Sequence, residues 1–325
     1  MSEIFSLLDD IAELTPAPAQ IVGFWRRLFG FLIDCLIVGI FGLLIGTIFF
    51  DTFAAMGGWG KLVGFIIALA YFGVMNSAVG GGQTVGKRLV NIKVVNREGE
   101  LISLLRSFVR YAILGSPFFL NGATISPSIP LLTTFAGILI FGAGFAIFYL
   151  YIFNRGTRQS LHDLATGTLV VRATDVEPPP QLHLWKYHVL IAGIGATLIL
   201  VSILSVSILI GQGFGLAHLV TLQENIQHSG KVHFSSVFVG KVWGASGEVR
   251  YLKVDAVWRG RPDSYEMAAS EIASIVMRDY PDLSSTDALV VNVIFGFDIG
   301  IASSWQSYSS AYSPEQWMQK LQNQQ

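Results

Sequence analysis

Long apolar runs separated by short polar segments occupy the first two thirds of the chain. As a helix at ~1.5 Å per residue, the run Leu28–Phe50 reaches about 34 Å, enough to cross a hydrocarbon core of roughly 30 Å. Further apolar runs follow at Leu62–Val79, Phe108–Leu120 (the shortest), Ile129–Phe153 and Val189–Ile210. The pattern predicts a multi-span α-helical membrane protein.

The pattern changes beyond residue 213 to that of a soluble α+β domain. Val232–Val242 and Glu248–Trp258 alternate like two strands of a hairpin, and Ser264–Asp279 has apolar residues at helical spacing. Asp287–Ile301 is rich in β-branched residues, and Ser313 precedes a proline as the cap of a last helix. We expect a ββαβ(β)α domain: a small antiparallel sheet with helices on one face.

Five segments follow from these patterns. They are an N-terminal cytoplasmic segment (1–21), a membrane domain (22–175), a proline-rich linker (176–188), the last transmembrane helix (189–211) and the soluble domain (213–325).

Composition supports a membrane protein, with 52% hydrophobic and 13% charged residues. The net charge of −1 gives no reason to expect nucleic-acid binding. The single cysteine excludes an intrachain disulfide. The first residues are acidic and lack an apolar core, so we expect no cleavable signal peptide there.

The distribution of basic residues predicts the orientation in the membrane. One group lies between the second apolar run and Tyr111: Lys87, Arg88, Lys93, Arg97, Arg106 and Arg110. Another follows Phe153: Arg155, Arg158, Arg172 and Lys186. Both groups should be cytoplasmic, which requires Phe108–Leu120 to cross the membrane. Five spans result, with the N-terminus inside and the C-terminal domain outside. The alternative lays Leu101–Leu120 along the surface and leaves four spans.

Asp34 is the most unusual residue, because a carboxylate inside a membrane helix costs roughly 2.5–3.5 kcal/mol. Arg27 lies seven residues earlier on the same helix face. One interpretation is a structural ion pair, with Arg27, Arg106 or Arg110 as partner. The other is an ion-binding or proton-relay carboxylate.

Two polar motifs follow the membrane runs. Gly81–Arg88 nearly matches a phosphate-binding loop, but Arg88 replaces the hydroxyl residue and no strand precedes it. The simpler interpretation is a glycine turn that brings Lys87 and Arg88 to the lipid headgroups. His162 and Asp163 lack a partner nucleophile, so a structural role is favoured over acid–base catalysis. Leu89–Asn96 and Thr168–Arg172 have the pattern of short strands, and we expect Thr168–Arg172 to pair with Ile92–Val95.

The soluble domain offers one candidate binding feature, an aromatic strip of Trp305, Tyr308 and Tyr312. No nucleophile–base pair or metal-ligand cluster is recognisable along the chain, so we predict no enzyme activity, no cofactor and no metal site.

Together, these motifs resemble the RDD family of bacterial membrane proteins over about Val22–Arg172. The matching segments are Arg26–Leu28, Gly82–Leu89, Ile92–Val95 and Leu161–Arg172, with single matches at Asp34, Ser103 and Arg110. The arginine and two aspartates that name the family correspond to Arg27, Asp34 and Asp163. Gly30 departs from the alanine found in many members. The resemblance implies a bacterial inner-membrane protein, with transport of unidentified ligands as a suggestion. Independently of the resemblance, we expect the glycine turn and the His162–Asp163 loop to meet at the cytoplasmic surface, with Asp163 near Arg88, Arg106 or Arg110.

Two functions are compatible with the sequence. The first is transport of ions or small ligands through an intramembrane Asp/Arg pair. The second is a membrane-anchored binding or assembly protein whose C-terminal domain recognises a periplasmic or envelope partner. The bilayer is the expected environment in both, and a homo-oligomer would help the first.

Overall fold

The structure, a computed structural model, describes the greater part of the chain. The described residues are 21–122, 130–175, 179, 184–211, 216–244 and 247–323. The predicted N-terminal segment (1–21, except Ile21) and most of the predicted linker lie outside them. The chain divides into two compact units. The first contains residues up to Leu43 and Lys61–Ser205, and the second contains Leu44–Gly60 and the chain from Val206 onward.

The helices of the first part begin with α1 (Phe24–Ile48), α2 (Phe50–Met56), a 3-10 turn (Gly57–Trp59) and α3 (Gly60–Met75). Then follow α4 (Val85–Leu89), strand β1 (Ile92–Asn96), α5 (Leu104–Leu120) and α6 (Pro130–Gly137). A π-helical turn (Ile138–Gly142) joins α6 to α7 (Ala143–Phe153), and α8 (Leu161–Thr166), β2 (Thr168–Arg172) and α9 (Lys186–Gly211) complete the series.

Three helical segments within the described ranges are long and apolar enough to span a membrane. They are Phe24–Ile48, Phe50–Met75 and Thr134–Phe153, of 25, 26 and 20 residues, and Lys186–Ser202 is a shorter apolar helix. The prediction of membrane helices is therefore confirmed. The count of five crossings stays a prediction.

Helix α5 differs from these three because one side is polar and buried. Ser103 caps its start by accepting from the backbone N–H of Arg106. Arg110 and Tyr111 are buried in its middle, and Pro117 lies inside its last turn. The helix therefore presents a charged group to the interior of the first unit.

A small antiparallel sheet joins the two polar motifs. Val94 of β1 pairs with Val170 of β2, and Ile21 forms a bridge to Val171. The predicted pairing of Thr168–Arg172 with Ile92–Val95 is confirmed. Apolar side chains on both faces of the pair are buried, in two small clusters. The pair fixes α4, which precedes β1, relative to α8, which precedes β2.

The second unit is built on a four-stranded sheet. After α10 (Leu216–His228) come β3 (Val232–Gly244), β4 (Gly247–Trp258) and α11 (Tyr265–Asp279). Strands β5 (Ala288–Asp298) and β6 (Ser303–Tyr312) and helix α12 (Pro314–Gln322) follow. The order across the sheet is β3-β4-β5-β6.

The sheet is mixed, and the prediction of a purely antiparallel sheet is wrong. The predicted β3–β4 hairpin is present, and β5 and β6 are antiparallel, but β4 and β5 run parallel. The reason is α11, which returns the chain along the sheet before β5 begins. A crossover of this kind is what a parallel pair requires.

The core of this unit lies between the sheet and its helices. Trp317 of α12 is fully buried and donates its indole N–H to the carbonyl oxygen of Leu289 at 3.0 Å. Helix α2 extends the same layer: the rings of Phe50 and Phe297 meet edge to face at 5.3 Å. The segment Leu44–Gly60 thus belongs with the strands, which its apolar sequence alone did not indicate.

Candidate functional site

Asp163 is the centre of the main charge cluster of the first unit. Its Oδ2 accepts from Nη2 of Arg27 on α1 at 2.5 Å, and its Oδ1 accepts from Nη2 of Arg110 on α5 at 2.6 Å. Asp163 is fully buried, and the two arginines are 9% and 5% exposed. One carboxylate therefore joins three elements that are distant in sequence.

The local sequence around Asp163 supports its charged form. The backbone N–H of Ser160 donates to Oδ2 at 3.2 Å at the start of α8, and the hydroxyl of Thr168 donates to Oδ1 at 3.2 Å. Burial alone would raise the pKa of Asp163, but Arg27 and Arg110 outweigh it and hold that pKa well below its ordinary value. The group stays a carboxylate at neutral pH. The expected closeness to Arg110 is confirmed.

Arg27 and Asp34 do not pair, so the predicted ion pair between them is wrong. Arg27 donates to Asp163 and to the carbonyl oxygen of Arg158, and its guanidinium lies 5.1 Å from the centre of the Tyr151 ring. Sharing a helix face does not bring the two together, because seven residues correspond to about 10 Å along the axis.

Asp34 is instead held by neutral donors. Its Oδ1 accepts from the hydroxyl of Tyr71 at 2.8 Å and from the backbone N–H of Gly86 at 2.7 Å, and its Oδ2 accepts from the hydroxyl of Thr84. Thr84 also caps α4 by accepting from the N–H of Lys87. The carboxylate thus fastens the first turn of α4 to α1.

The resemblance of this loop to a phosphate-binding loop has a structural counterpart. A hydroxyl and a backbone N–H at the start of a helix do bind an anion, but that anion is the protein's own Asp34. The close approach depends on Gly86, because a Cβ there would lie 2.0 Å from the carbonyl oxygen of Gly30. The glycine at position 30 lies at this same contact.

Lys87 and Arg88 are adjacent in sequence but separate in the fold. Lys87 faces inward, and burial together with Arg110 lowers its pKa to about 7, although Asp34 opposes this. Arg88 is exposed and donates to the carbonyl oxygen of Gly80 at 3.1 Å. Of this pair, only Lys87 belongs to the interior site.

Arg106 has a structural role at the other end of α8. Its Nε and Nη2 donate to the carbonyl oxygens of Thr166 and Gly167, at 2.5 and 3.0 Å. These carbonyls end the helix and lack helical partners, so a cation there is stabilising. Arg106 therefore positions Asp163 indirectly, by fixing the helix that carries it.

His162 is buried next to Asp163 and stays neutral. Its Nε2 lies 3.6 Å from Oδ2 of Asp163, and burial lowers the pKa of His162 to about 3, because Arg110 and Arg27 offset the attraction of Asp163. Its Nδ1 has no hydrogen-bond partner. A neutral imidazole here adds no positive charge to the site near neutral pH.

A cavity of ≈ 170 Å³ lies beside these charges, within the first unit. Its polar lining consists of Arg27, Asn76, Lys87, Arg110 and His162. The rest of the lining is apolar or aromatic: Leu28, Phe31, Phe72, Tyr111, Leu114, Ile147, Phe148, Tyr151 and Val170. Asn76 is buried, and its Oδ1 has no partner. The cavity therefore combines three cations with an aromatic wall.

Sequence reasoning missed several residues of this site. Tyr71 holds Asp34, Tyr151 lies against Arg27, and Asn76 lines the cavity. The sequence feature that could have indicated them is a polar or tyrosine side chain near the end of an apolar run. That signal is weak, because tyrosine is common at membrane interfaces.

The predicted aromatic strip of the soluble domain does not form a single surface. Side chains alternate across a strand, so Trp305 lies on the opposite face of β6 from Tyr308 and Tyr312. Tyr308 lies near Tyr265, and Tyr312 contacts Trp317 edge to face at 5.1 Å. The prediction of a single aromatic binding strip is therefore wrong.

In the described part of the chain, no group of three His, Cys, Asp or Glu side chains lies close enough to hold a metal ion.

Comparisons with known proteins give a family match for the region that contains these motifs. Residues 21–167 match the model of the RDD family, which confirms the resemblance over this region. The match does not include the C-terminal domain. An uncharacterized protein, YckC of Bacillus subtilis (strain 168), is 27% identical over 157 residues, covering 48% of this chain and 87% of YckC. No solved structure matches the chain significantly.

Proposed function

We propose that the RDD region binds a small anion in the cavity beside Asp163 and carries it across the bacterial inner membrane. The observation that supports this is the cation content of the lining. Arg27, Lys87 and Arg110 all face the cavity, whereas Asp163 and Asp34 are already engaged by other donors. Intramembrane ionisable groups commonly mark ligand or ion pathways.

The proposal changes the role of the predicted Asp/Arg pair. The pair that forms is Arg27 with Asp163, and Arg110 makes it a triad. Asp163 holds the two guanidinium groups in place and neutralises one of them. Asp34 then acts on the site through α4, which carries Lys87.

The charge balance favours an anion over a cation. Three cations against two carboxylates leave one positive charge when Lys87 is protonated, and His162 is neutral. A metal cation would enter a site where the carboxylates are fully hydrogen-bonded. An anion would find the guanidinium and ammonium donors that bind carboxylates and phosphates.

The test is flux into proteoliposomes with the full chain, using chloride, acetate, benzoate and inorganic phosphate as separate probes. We expect at least one anion to move faster than in empty liposomes, and Lys87→Gln to lower that rate at least tenfold. Arg88→Gln is the matched control, because it removes the same charge one residue away and outside the cavity. Sodium or proton flux that needs Asp34, with no anion flux, would refute the proposal.

The proposal includes a topology of five spans, with the N-terminus cytoplasmic and the C-terminal domain outside. The basic groups on both sides of α5 support it. Reporter fusions after residues 100, 175 and 323 would test it: the first two should report the cytoplasm and the third the outside. A homo-oligomer, which light scattering of the purified protein would detect, would provide more helices around the pathway.

The second candidate function, a membrane-anchored binding protein, is favoured by the tip of the β3–β4 hairpin. Pairing of β4 with β5 begins at Tyr251, so the tip extends beyond the other strands. Val242 and Trp243 are exposed there, by 53% and 77%. A photo-crosslinker at position 243 should capture an envelope protein under this function, whereas one at the exposed Asp282 should not. Capture of lipid alone would count against it.

A further inference from the structure

We infer that the ligand of the cavity is a small monoanion with an apolar body about the size of a benzene ring, such as an aromatic carboxylate. This inference rests on the proposed function and specifies its substrate class. It is carried by the volume of the cavity and the chemistry of its two sides.

Volume limits the size of the ligand. The cavity holds ≈ 170 Å³, whereas pockets for drug-sized ligands are roughly 300–1,000 Å³. An apolar cavity of about 150 Å³ binds benzene in an engineered protein. A single ring, or a chain of comparable volume, therefore fits here.

The two sides of the cavity specify an amphipathic ligand. Phe72 and Tyr111 are stacked with ring centres 4.6 Å apart, and Phe148 and Tyr151 face the same space from α7. Such a wall favours an apolar or aromatic body over a hydrated ion like phosphate, which would lose its water without replacement.

The polar side specifies one negative charge. Arg27 and Arg110 each have guanidinium nitrogens committed to Asp163, so Lys87 is the lining cation that does not pair with Asp163. Asn76 and the neutral His162 also line this side. A carboxylate on the ligand would accept from the cations.

The experiment is calorimetric titration of the full chain in nanodiscs of zwitterionic lipid, with benzoate, acetate, benzyl alcohol and inorganic phosphate. We expect benzoate to bind at least tenfold more tightly than the other three. Benzyl alcohol removes the charge but keeps the ring, and acetate keeps the charge but removes the ring.

Two variants separate charge from volume. Lys87→Gln should weaken benzoate binding at least tenfold, with Arg88→Gln unchanged. Leu114→Trp fills the cavity without altering charge and should abolish binding, whereas Leu105→Trp on the exposed side of the same helix should leave it intact. Thermal unfolding of each variant checks that it is folded.

The outcomes distinguish the inference from the proposed function. Acetate or phosphate binding as tightly as benzoate, with no effect of Leu114→Trp, would overturn the ligand class and leave anion binding in place. Binding of no anion would overturn both. Displacement of benzoate by phosphatidylglycerol in the nanodisc would reassign the site to a lipid headgroup and also overturn the inference.

Discussion

Arg110 holds Asp163 with two donors, Nε at 3.1 Å and Nη2 at 2.6 Å, both directed at the same oxygen. The second oxygen of Asp163 is left for Arg27. This division lets one buried carboxylate tie α5 and α1 to the short helix α8. It also explains how a membrane domain with few charges keeps two arginines in its interior.

Asp163→Asn should strongly destabilise the protein. Removing the shared carboxylate leaves two buried guanidinium groups without a counter-ion, and breaking a buried ion pair in this way costs about 3–5 kcal/mol. We expect a large fall in the thermal unfolding midpoint. Asp282→Asn, at an exposed aspartate, is the control. An unchanged midpoint would contradict the role of Asp163 as the centre of the cluster.

Asp34→Asn should lower stability and weaken anion binding only indirectly, through α4 and Lys87. The amide keeps one acceptor oxygen, but its NH₂ group faces donors that need an acceptor, so we expect a loss of about 1–3 kcal/mol. Unfolding and benzoate titration measured on one preparation check both parts, with the exposed Asp263→Asn as control. Loss of binding at full stability would assign Asp34 a direct role in the site.

Gly86→Ala should prevent normal packing of α4 on α1. Its Cβ would lie 2.0 Å from the carbonyl oxygen of Gly30 and 2.9 Å from Cγ of Asp34, and overpacking costs typically 1–3 kcal/mol or more. Gly193→Ala is the matched control, because no atom lies within 4 Å of its Cβ position. Protein yield and unfolding midpoint should fall for the first variant only.

Binding of the anion should weaken as pH rises above about 7. The pKa of Lys87 is lowered by burial to about 7 from an ordinary 10.5, so the folded protein loses this cation while the unfolded chain keeps it. The charged and titratable groups around it are Arg27, Asp34, Arg110, His162 and Asp163. Because the unfolded state binds more protons between these two pKa values, stability without ligand should rise with pH there.

The measurement is benzoate titration at several values between pH 6 and pH 9. We expect about a tenfold fall in affinity, which corresponds to ~1.4 kcal/mol, the order of one charge-assisted hydrogen bond. Lys87→Gln should bind weakly at every pH with no trend. A trend that persists in Lys87→Gln would show that another group titrates.

Trp317→Phe should destabilise the second unit. Trp317 is fully buried, and the change removes its hydrogen bond to the Leu289 carbonyl and leaves that oxygen without the donor, at a cost of about 1–3 kcal/mol. Trp305→Phe, at a half-exposed position on β6, should be close to neutral. Chemical unfolding followed by circular dichroism of the full chain compares the two, and equal midpoints would contradict the prediction.

Local pattern determined much of the architecture. Apolar length predicts the membrane helices, alternation predicts the β3–β4 hairpin and the β1–β2 pair, and Ser313 before a proline predicts the start of α12. These features depend on neighbouring residues, whose spacing is fixed by the helix and strand repeats. The sequence also placed Arg27, Asp34 and Asp163 in the segments that resemble the RDD family.

Only the tertiary structure decided which charges meet. Arg27 is seven residues from Asp34 but pairs with Asp163, which is 136 residues away. Several cations and carboxylates were available, and the choice among them depends on how α1, α5 and α8 pack. The parallel β4–β5 pairing and the cavity arise in the same way. Long-range packing brings their side chains together, and the spacing of these residues in the sequence does not predict their contact.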